Sequence, residues 1–300
     1  MADAWIIVLR GLQYAAGALL LGLPAFMLYS QRAVGPLGLR WPRQVLIWAA
    51  AAAAAAPAAL VAQTAMMAGS LSEAVKPASL AFMVTGTGLG QALMVRTLAA
   101  VLALGAALLL RPGRPMWSVL TLLGVIVSAS FAWTGHGAAT EGAGHAAHLI
   151  SDVLHALAAS IWIGALAAFA GLVVRRPAED PAWEASVARS LTGFAGVGAA
   201  AVGTLIVTGL INSAFLVGPS KALELGTSPY GVLLMIKLVL FGLMLGLAAI
   251  HRFRLAPLMA RDAGQALPHL KKSLTIEFAA ALGILAVLAV MGTLPPPAAL

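Results

Sequence analysis

The stretch HLISDVLHALAASIWIGALAAFAGLVV, which spans residues 148–174, indicates the fold class of this chain. It carries one carboxylate and no Lys or Arg, and it otherwise consists almost entirely of apolar and small residues. A helix crosses the apolar core of a bilayer in roughly 20 residues, so this stretch is long enough to do so. Its length and apolar character therefore predict a transmembrane helix.

Composition extends this prediction to the whole chain. Of the 300 residues, 61% are hydrophobic and only 9% are charged, and the mean hydropathy is +0.97. Soluble domains carry about 25% charged residues, so the composition excludes a soluble globular protein, a disordered chain and a nucleic-acid-binding module. The chain has no Cys, which excludes disulfides, thiolate zinc sites and iron–sulfur clusters. Any soft metal must therefore be held by His, Met or carboxylate side chains.

Eight stretches have the length and hydropathy of a bilayer span. They predict an all-α integral membrane protein, a bundle of eight transmembrane helices, with an N-terminal four-helix half (residues 1–134) and a C-terminal four-helix half (residues 135–300). Pro57 is expected to kink the second span, and the four glycines between residues 193 and 203 are expected to permit close helix packing. The predicted spans are Trp5–Ser30, Gln44–Met67, Gly88–Leu110, Trp117–Trp133, His148–Val174, Leu191–Val217, Tyr230–Ile250 and Leu274–Leu294.

Basic residues lie on alternate loops, and this pattern predicts the orientation of the chain. Most Lys and Arg residues fall in one set of loops, whereas the other set contains only Lys76 and Lys221. Because cytoplasmic loops are enriched in Lys and Arg, the first set is expected to be cytoplasmic, which places both termini outside the cytoplasm. The basic set contains Arg32, Arg40, Arg43, Arg111, Arg114, Arg175, Arg176, Arg189, Arg252, Arg254, Arg261, Lys271 and Lys272.

A cluster of histidines marks the outer ends of spans four and five. His136, His145, His148 and His155 lie within twenty residues, and Asp152 lies among them. If the fifth helix begins near Gly144, then His145, His148, Asp152 and His155 share one helical face that leads from the surface into the membrane. Imidazole is the commonest metal ligand in proteins, so we interpret this face as a candidate metal site, with His136 closing it from across the loop. The alternative is a polar loop followed by a solvated helix end.

Other side chains are weaker candidates. Met66 and Met67 lie at the outer end of span two and are possible auxiliary ligands, because thioether sulfur selects Cu(I), although methionine more often fills hydrophobic cores. Lys237, Arg96 and Glu277 are intramembrane ionisable residues, which cost roughly 2.5–3.5 kcal/mol to insert and so tend to be functional.

The last cytoplasmic loop is flanked by two further histidines. His251 and His269 could each serve as an exit ligand for a metal, but we interpret both as solvated loop side chains.

Two motifs resemble a known family. The run from His148 to Gly164 has the pattern His-x-x-x-Asp-x-x-His followed by Trp-x-Gly, and Gly209-Leu-Ile-Asn212 is followed by Tyr230-Gly-Val-Leu-Leu-Met-Ile-Lys237 and Arg252-Phe-Arg-Leu255. Together they resemble the copper-resistance D (CopD/PcoD-type) family of bacterial inner-membrane copper transport proteins. The resemblance covers residues 128–294, whereas spans one to three match in hydropathy. The chain departs from the family pattern at His251, where Asn is expected, and at Gln13-Tyr14, where a His is expected.

The resemblance implies a function. It implies a copper transport protein of the bacterial inner membrane that moves copper from periplasm to cytoplasm, often beside a small periplasmic copper-binding protein. His148, Asp152 and His155 would be the first ligands to receive the ion. No enzymatic activity is expected, and the expected partners are the copper ion and the lipid bilayer, with no nucleic acid.

Two alternatives stay open. A haem-binding oxidoreductase or electron carrier would use the histidines as axial ligands, with Arg10, Arg96 and Lys237 on the propionates, but a bis-His haem needs ligands that face each other across a bundle. A non-transporting copper-binding sensor or assembly factor would have the same ligands as a transporter, and the sequence does not separate the two.

Overall fold

The computed structural model describes residues 2–135, 138, 140, 142–175, 180–218, 221 and 225–299, and every regular element in these ranges is helical. The α-helices are α1 (Ala2–Tyr29), α2 (Gln31–Val34), α3 (Trp41–Ala54), α4 (Ala56–Ala68), α5 (Leu71–Ala74), α6 (Pro77–Gly86), α7 (Gly88–Leu109), α8 (Arg114–Ala129), α9 (His145–Val174), α10 (Pro181–Leu216), α11 (Pro229–Ile250), α12 (Ala256–Arg261) and α13 (Ala263–Met291). Short 3₁₀ segments cover Gly35–Leu37, Ser130–Thr134, Gly142–Gly144 and Pro297–Ala299, and a π-helical turn covers His251–Leu255.

Within the residues that the structure describes, eight helical segments are long and apolar enough to cross a membrane, which confirms the predicted number of spans. The second span is broken at Ala55, and Pro57 lies in the first turn of the helix that follows, so the predicted kink is confirmed. The segments are Ala4–Tyr29, Trp41–Ala68, Gly88–Leu109, Arg114–Thr134, Gly142–Val174, Pro181–Leu216, Pro229–Arg261 and Ala263–Met291.

Two helices begin about three turns earlier than predicted. α10 begins at Pro181 because Asp180 accepts hydrogen bonds from the backbone N–H groups of Ala182 and Trp183. α13 begins at Ala263 because Asp262 accepts a hydrogen bond from the N–H of Gln265. Hydropathy marks only the apolar part of a span, whereas the cap determines where the helix starts.

Helix α1 lies at the centre of the bundle and packs against α8 of the first half and α9 of the second. Gly22 and Gly164 make the approach to α9 possible, because a Cβ on either residue would collide with the backbone of the other helix. Gly124 permits a similar approach of α8 to the backbone of Leu20 and Leu21. Helices in membranes associate through such small residues, since lipid offers no hydrophobic driving force between them.

The four glycines of span six do not have the packing role we predicted. Gly193, Gly196 and Gly203 face open space, and Gly198 is close only to the side chain of Phe194 on its own helix. A glycine therefore marks a close contact only where a second backbone lies opposite, and the sequence does not show which backbone that is.

Replacing Gly22 by Leu is expected to destabilise the bundle by about 3 kcal/mol or more, because the side chain would separate α1 from α9. Gly203→Leu, which adds the same side chain beside open space, is the matched control and should melt as the wild type does. Thermal unfolding in detergent tests this. Equal melting temperatures for both variants would contradict the backbone contact.

Candidate functional site

The polar face of α9 forms as the sequence predicted. Gly144 precedes the helix and His145 is its first residue, so His145, His148, Asp152 and His155 follow one another along one face. His148 is fully buried, and the other three side chains are partly buried between α9 and its neighbours. The predicted ligand His136 lies outside the described residues.

A single residue, Thr140, binds the first two histidines. The carbonyl oxygen of Thr140 lies 2.8 Å from Nδ1 of His145, and its hydroxyl lies 2.6 Å from Nδ1 of His148. Because a carbonyl oxygen only accepts, His145 must donate through Nδ1, which leaves the lone pair of the neutral ring on Nε2. The ring of His148 also stacks on Phe215 of α10, with 4.6 Å between ring centroids and an angle of 7°.

The tautomer of His155 is fixed by a hydroxyl on α10. Nδ1 of His155 lies 2.9 Å from Oγ1 of Thr208, and that hydroxyl donates its only hydrogen to the carbonyl of Thr204 at 2.6 Å. His155 must therefore donate from Nδ1, so Nε2 carries the lone pair. Metal-ligating histidines are held in this manner, with one nitrogen bonded to the protein and the other left for the ion.

Asp152 lies at the meeting point of several helices. Its Oδ1 accepts a 2.6 Å hydrogen bond from the amide nitrogen of Asn212 on α10. Lys237 and Tyr230 of α11 interact electrostatically with the carboxylate, and Lys237 also interacts with His155. The carboxylate therefore lies within electrostatic range of the Lys237 side chain, and a protonated Lys237 would compete with a metal cation at Asp152.

The ligands are spread along the helix and do not surround one point. Within the residues that the structure describes, no three His, Asp or Glu side chains are grouped closely enough to hold one metal ion. The rise of 1.5 Å per residue separates His148 from His155 by about 10 Å along the axis. Two nitrogen ligands of one ion lie at most about 4 Å apart, so these two histidines belong to different positions.

The two methionines proposed as auxiliary ligands lie on another part of the bundle. Met66 and Met67 lie in the last turn of α4, with 55% and 66% of their surfaces exposed. Their helix packs mainly against α1, α5, α6 and α7. The structure does not bring these thioethers to the polar face of α9.

Arg96 forms its hydrogen bonds within the N-terminal half of the bundle. Its guanidinium donates to the hydroxyl of Ser130 at 2.8 Å, to Oε1 of Gln13 at 2.9 Å and to the hydroxyl of Thr134 at 3.2 Å, and it lies over the ring of Phe131. These bonds join α1, α7 and the 3₁₀ turn after α8. Gln13, where the family pattern leads us to expect a His, is thus a hydrogen-bond partner of Arg96.

Glu277 is fully buried in α13, and its partners include a residue that we misplaced. Oε1 accepts a 3.1 Å hydrogen bond from the indole of Trp162, and Oε2 lies 3.1 Å from Nδ1 of His251. We predicted a solvated loop position for His251, but its side chain is only 11% exposed. It continues the seventh span as the first residue of a π-helical turn, which hydropathy does not reveal. His269, by contrast, is exposed as predicted, although it lies within α13 and not in a loop.

Comparisons with known proteins confirm the resemblance and extend it to the first half. A family model for the N-terminal domain of copper resistance protein D-like proteins matches residues 1–146, and a model for copper resistance protein D matches residues 188–291. Copper resistance protein D of Pseudomonas syringae pv. tomato is 36% identical over 99% of this chain and 98% of its own length.

More distant relatives cover part of the chain. Copper transport protein CutJ of Bacillus subtilis is 32% identical over 55% of this chain and 28% of its own length. Inner membrane protein YebZ of Escherichia coli is 26% identical over 58% of this chain and 59% of its own. No solved structure matches.

Replacing Thr208 by Val, which keeps the shape but removes the acceptor, is expected to release the tautomer of His155. Nitrogen-15 NMR of histidine-labelled protein, at a pH where the rings are neutral, should give the Nδ1–H form for His155 in the wild type and a mixture in Thr208→Val. Thr204→Val is the control, because it leaves the Thr204 carbonyl in place. A wild-type His155 protonated on Nε2 would contradict the assignment.

Proposed function

The chain belongs to the copper-resistance protein D family, and from this membership we propose that it captures copper on the periplasmic side of the bacterial inner membrane and passes it inward along α9. The observation that carries the proposal is the Nδ1-bonded state of His145 and His155, which leaves Nε2 of each ring as a ligand. The family is named for copper resistance, and the polar face of α9 carries imidazole and carboxylate groups, which copper binds.

The distribution of basic residues supports the proposed orientation of α9 and the inward direction of copper movement. The loop before α9 lacks Lys and Arg, whereas the loop after it contains Arg175 and Arg176. The positive-inside rule therefore puts the histidine end of α9 on the periplasmic side and both chain termini on that same side. A membrane potential that is negative inside would draw the ion inward by about 2.3 kcal/mol per charge for each 100 mV.

The spacing of the ligands supports transfer in steps. His148 and Asp152 lie about 6 Å apart along the axis, and Asp152 and His155 about 4.5 Å apart. An ion could exchange one ligand at a time over such distances without returning to water. Conduction also requires that no position bind the ion too tightly. Lys237 lies within electrostatic range of Asp152, and in its protonated form it would weaken the binding of a cation there.

The same proposal identifies the cargo, the partner protein and the absence of a catalytic role. The copper ion is the cargo, so no catalytic residue is assigned and the protein is proposed to have no enzymatic activity. A small periplasmic copper-binding protein would deliver the ion to the outer end of α9. The haem alternative has less support, because His145, His148 and His155 share one helix and do not face one another across the bundle.

Removing the two inner histidines of the face, His148 and His155, is the direct test of copper capture. The variant His148→Ala/His155→Ala is expected to bind copper at least about 100-fold more weakly, since even outer partners of metal ligands contribute 10–100-fold. The metal content and absorbance spectrum of purified protein measure this, and His269→Ala, an exposed histidine, is the matched control. Undiminished copper in the double variant would contradict the site. A Soret band without copper in the wild type would favour haem.

Replacing Lys237 by Met is expected to separate binding from transport. Without the nearby ammonium the copper affinity should rise about tenfold, because the loss of a like charge at this range is worth on the order of 1–2 kcal/mol. Copper uptake by proteoliposomes should become slower than in the wild type, because release is slower. Lys221→Met, in the loop between α10 and α11, is the control.

The same assay decides between transport and storage. Wild-type vesicles that bind copper but do not take it up would indicate a sensor or assembly factor.

A further inference from the structure

A second polar cluster lies deeper in the bundle than the face described above. Glu277 is completely buried, and its two carboxylate oxygens meet Trp162 of α9 and His251 of the π-helical turn, each at 3.1 Å. A buried ionisable group within a span is costly and tends to mark a functional position. None of these three side chains takes part in the capture of copper proposed above.

The cluster continues the polar face of α9 towards the other end of the helix. Trp162 follows His155 by seven residues, which is two helical turns, so both side chains lie on the same face about 10 Å apart. The indole of Trp162 then places Glu277 at this depth through its hydrogen bond to Oε1. A π-helical turn brings His251 to the other oxygen, and π-turns occur frequently at functional sites.

One carboxylate oxygen of Glu277 lacks a hydrogen bond. Oε2 is buried and receives no hydrogen bond from the residues that the structure describes, although Nδ1 of His251 lies 3.1 Å away. Nε2 of the same ring lies 2.6 Å from the hydroxyl of Ser273, so Nδ1 is the ring nitrogen beside the carboxylate. A buried carboxylate oxygen without a partner is costly, and a cation held by Oε2 and Nδ1 would remove that cost.

We propose that Nδ1 of His251 and the carboxylate of Glu277 form an inner metal-binding site that receives copper from the outer face of α9. The separation of 3.1 Å fits two neighbouring ligands of one ion, because metal–ligand distances of about 2.0–2.2 Å at angles of 90–110° put the donors about 2.9–3.5 Å apart. The proposal rests on the proposed function only for the origin of the ion. The site itself follows from its own contacts.

The donor set indicates the form of the metal. One imidazole nitrogen and one carboxylate oxygen suit Cu²⁺ or Zn²⁺, whereas Cu⁺ is selected by thiolate and thioether sulfur. The inner site is therefore a site for the divalent ion.

Copper loading of the full-length protein tests the inner site. Purified protein in nanodiscs is loaded with excess CuSO₄ and desalted, and bound copper is measured by mass spectrometry and Cu²⁺ electron paramagnetic resonance. Glu277→Gln keeps an acceptor for Trp162 but removes the charge, so it should lose one copper ion per chain and the spectral component with a single nitrogen ligand. His251→Asn, which removes the imidazole but keeps a polar side chain, should lose the same component. His269→Ala is the matched control.

The same variants in the His148→Ala/His155→Ala background distinguish the two sites. If the double variant loses only the outer copper and Glu277→Gln then removes the rest, the inner site is supported. If Glu277→Gln and His251→Asn keep the wild-type copper content and spectrum, the cation is a proton and the inner site is overturned, whereas the outer site stands. If only the inner variants lose copper, the proposed capture by His148 and His155 fails and the inner site remains. Melting temperatures confirm that each variant is folded.

Discussion

At Gly22 and Gly164 the backbones of α1 and α9 touch with no side chain between them. This contact holds α9 inside the bundle, where its polar face is enclosed by neighbouring helices. A bilayer supplies no water to satisfy polar groups, so every polar side chain on that face must find a partner within the protein. The positions of the candidate ligands therefore depend on how closely two helices approach each other.

Those partners determine the chemistry that the face can perform. Hydroxyl and amide groups of α10 hold His155 and Asp152 by one atom each, and Thr140 holds the first two histidines. His145 and His155 thus present Nε2, and Asp152 lies within electrostatic range of Lys237. Such an arrangement combines oriented ligands with a charge that limits their affinity, which is what the passage of an ion requires.

Much of the architecture could be predicted because the relevant signals are local. Hydropathy is sufficient to find eight spans, Pro57 marks the break in the second, and helical periodicity places His148 and His155 on one face once the helix begins at Gly144. The family likeness could be recognised from two short motifs, although it extends further than those motifs indicated.

The features that could not be predicted depend on contacts between residues distant in sequence. Gly22 and Gly164 hold α1 against α9 because each faces the backbone of the other helix, whereas the four glycines between residues 193 and 203 face no other backbone. Hydropathy predicts a loop at His251 because the apolar stretch ends there, yet a π-helical turn carries the side chain inward to Glu277.

Anomalous diffraction at the copper edge, from crystals of the copper-loaded protein, tests most directly whether copper binds to the polar face of α9. Copper is expected within about 2.1 Å of Nε2 of His148 or His155. Copper bound elsewhere, with none on α9, would contradict copper capture by this helix.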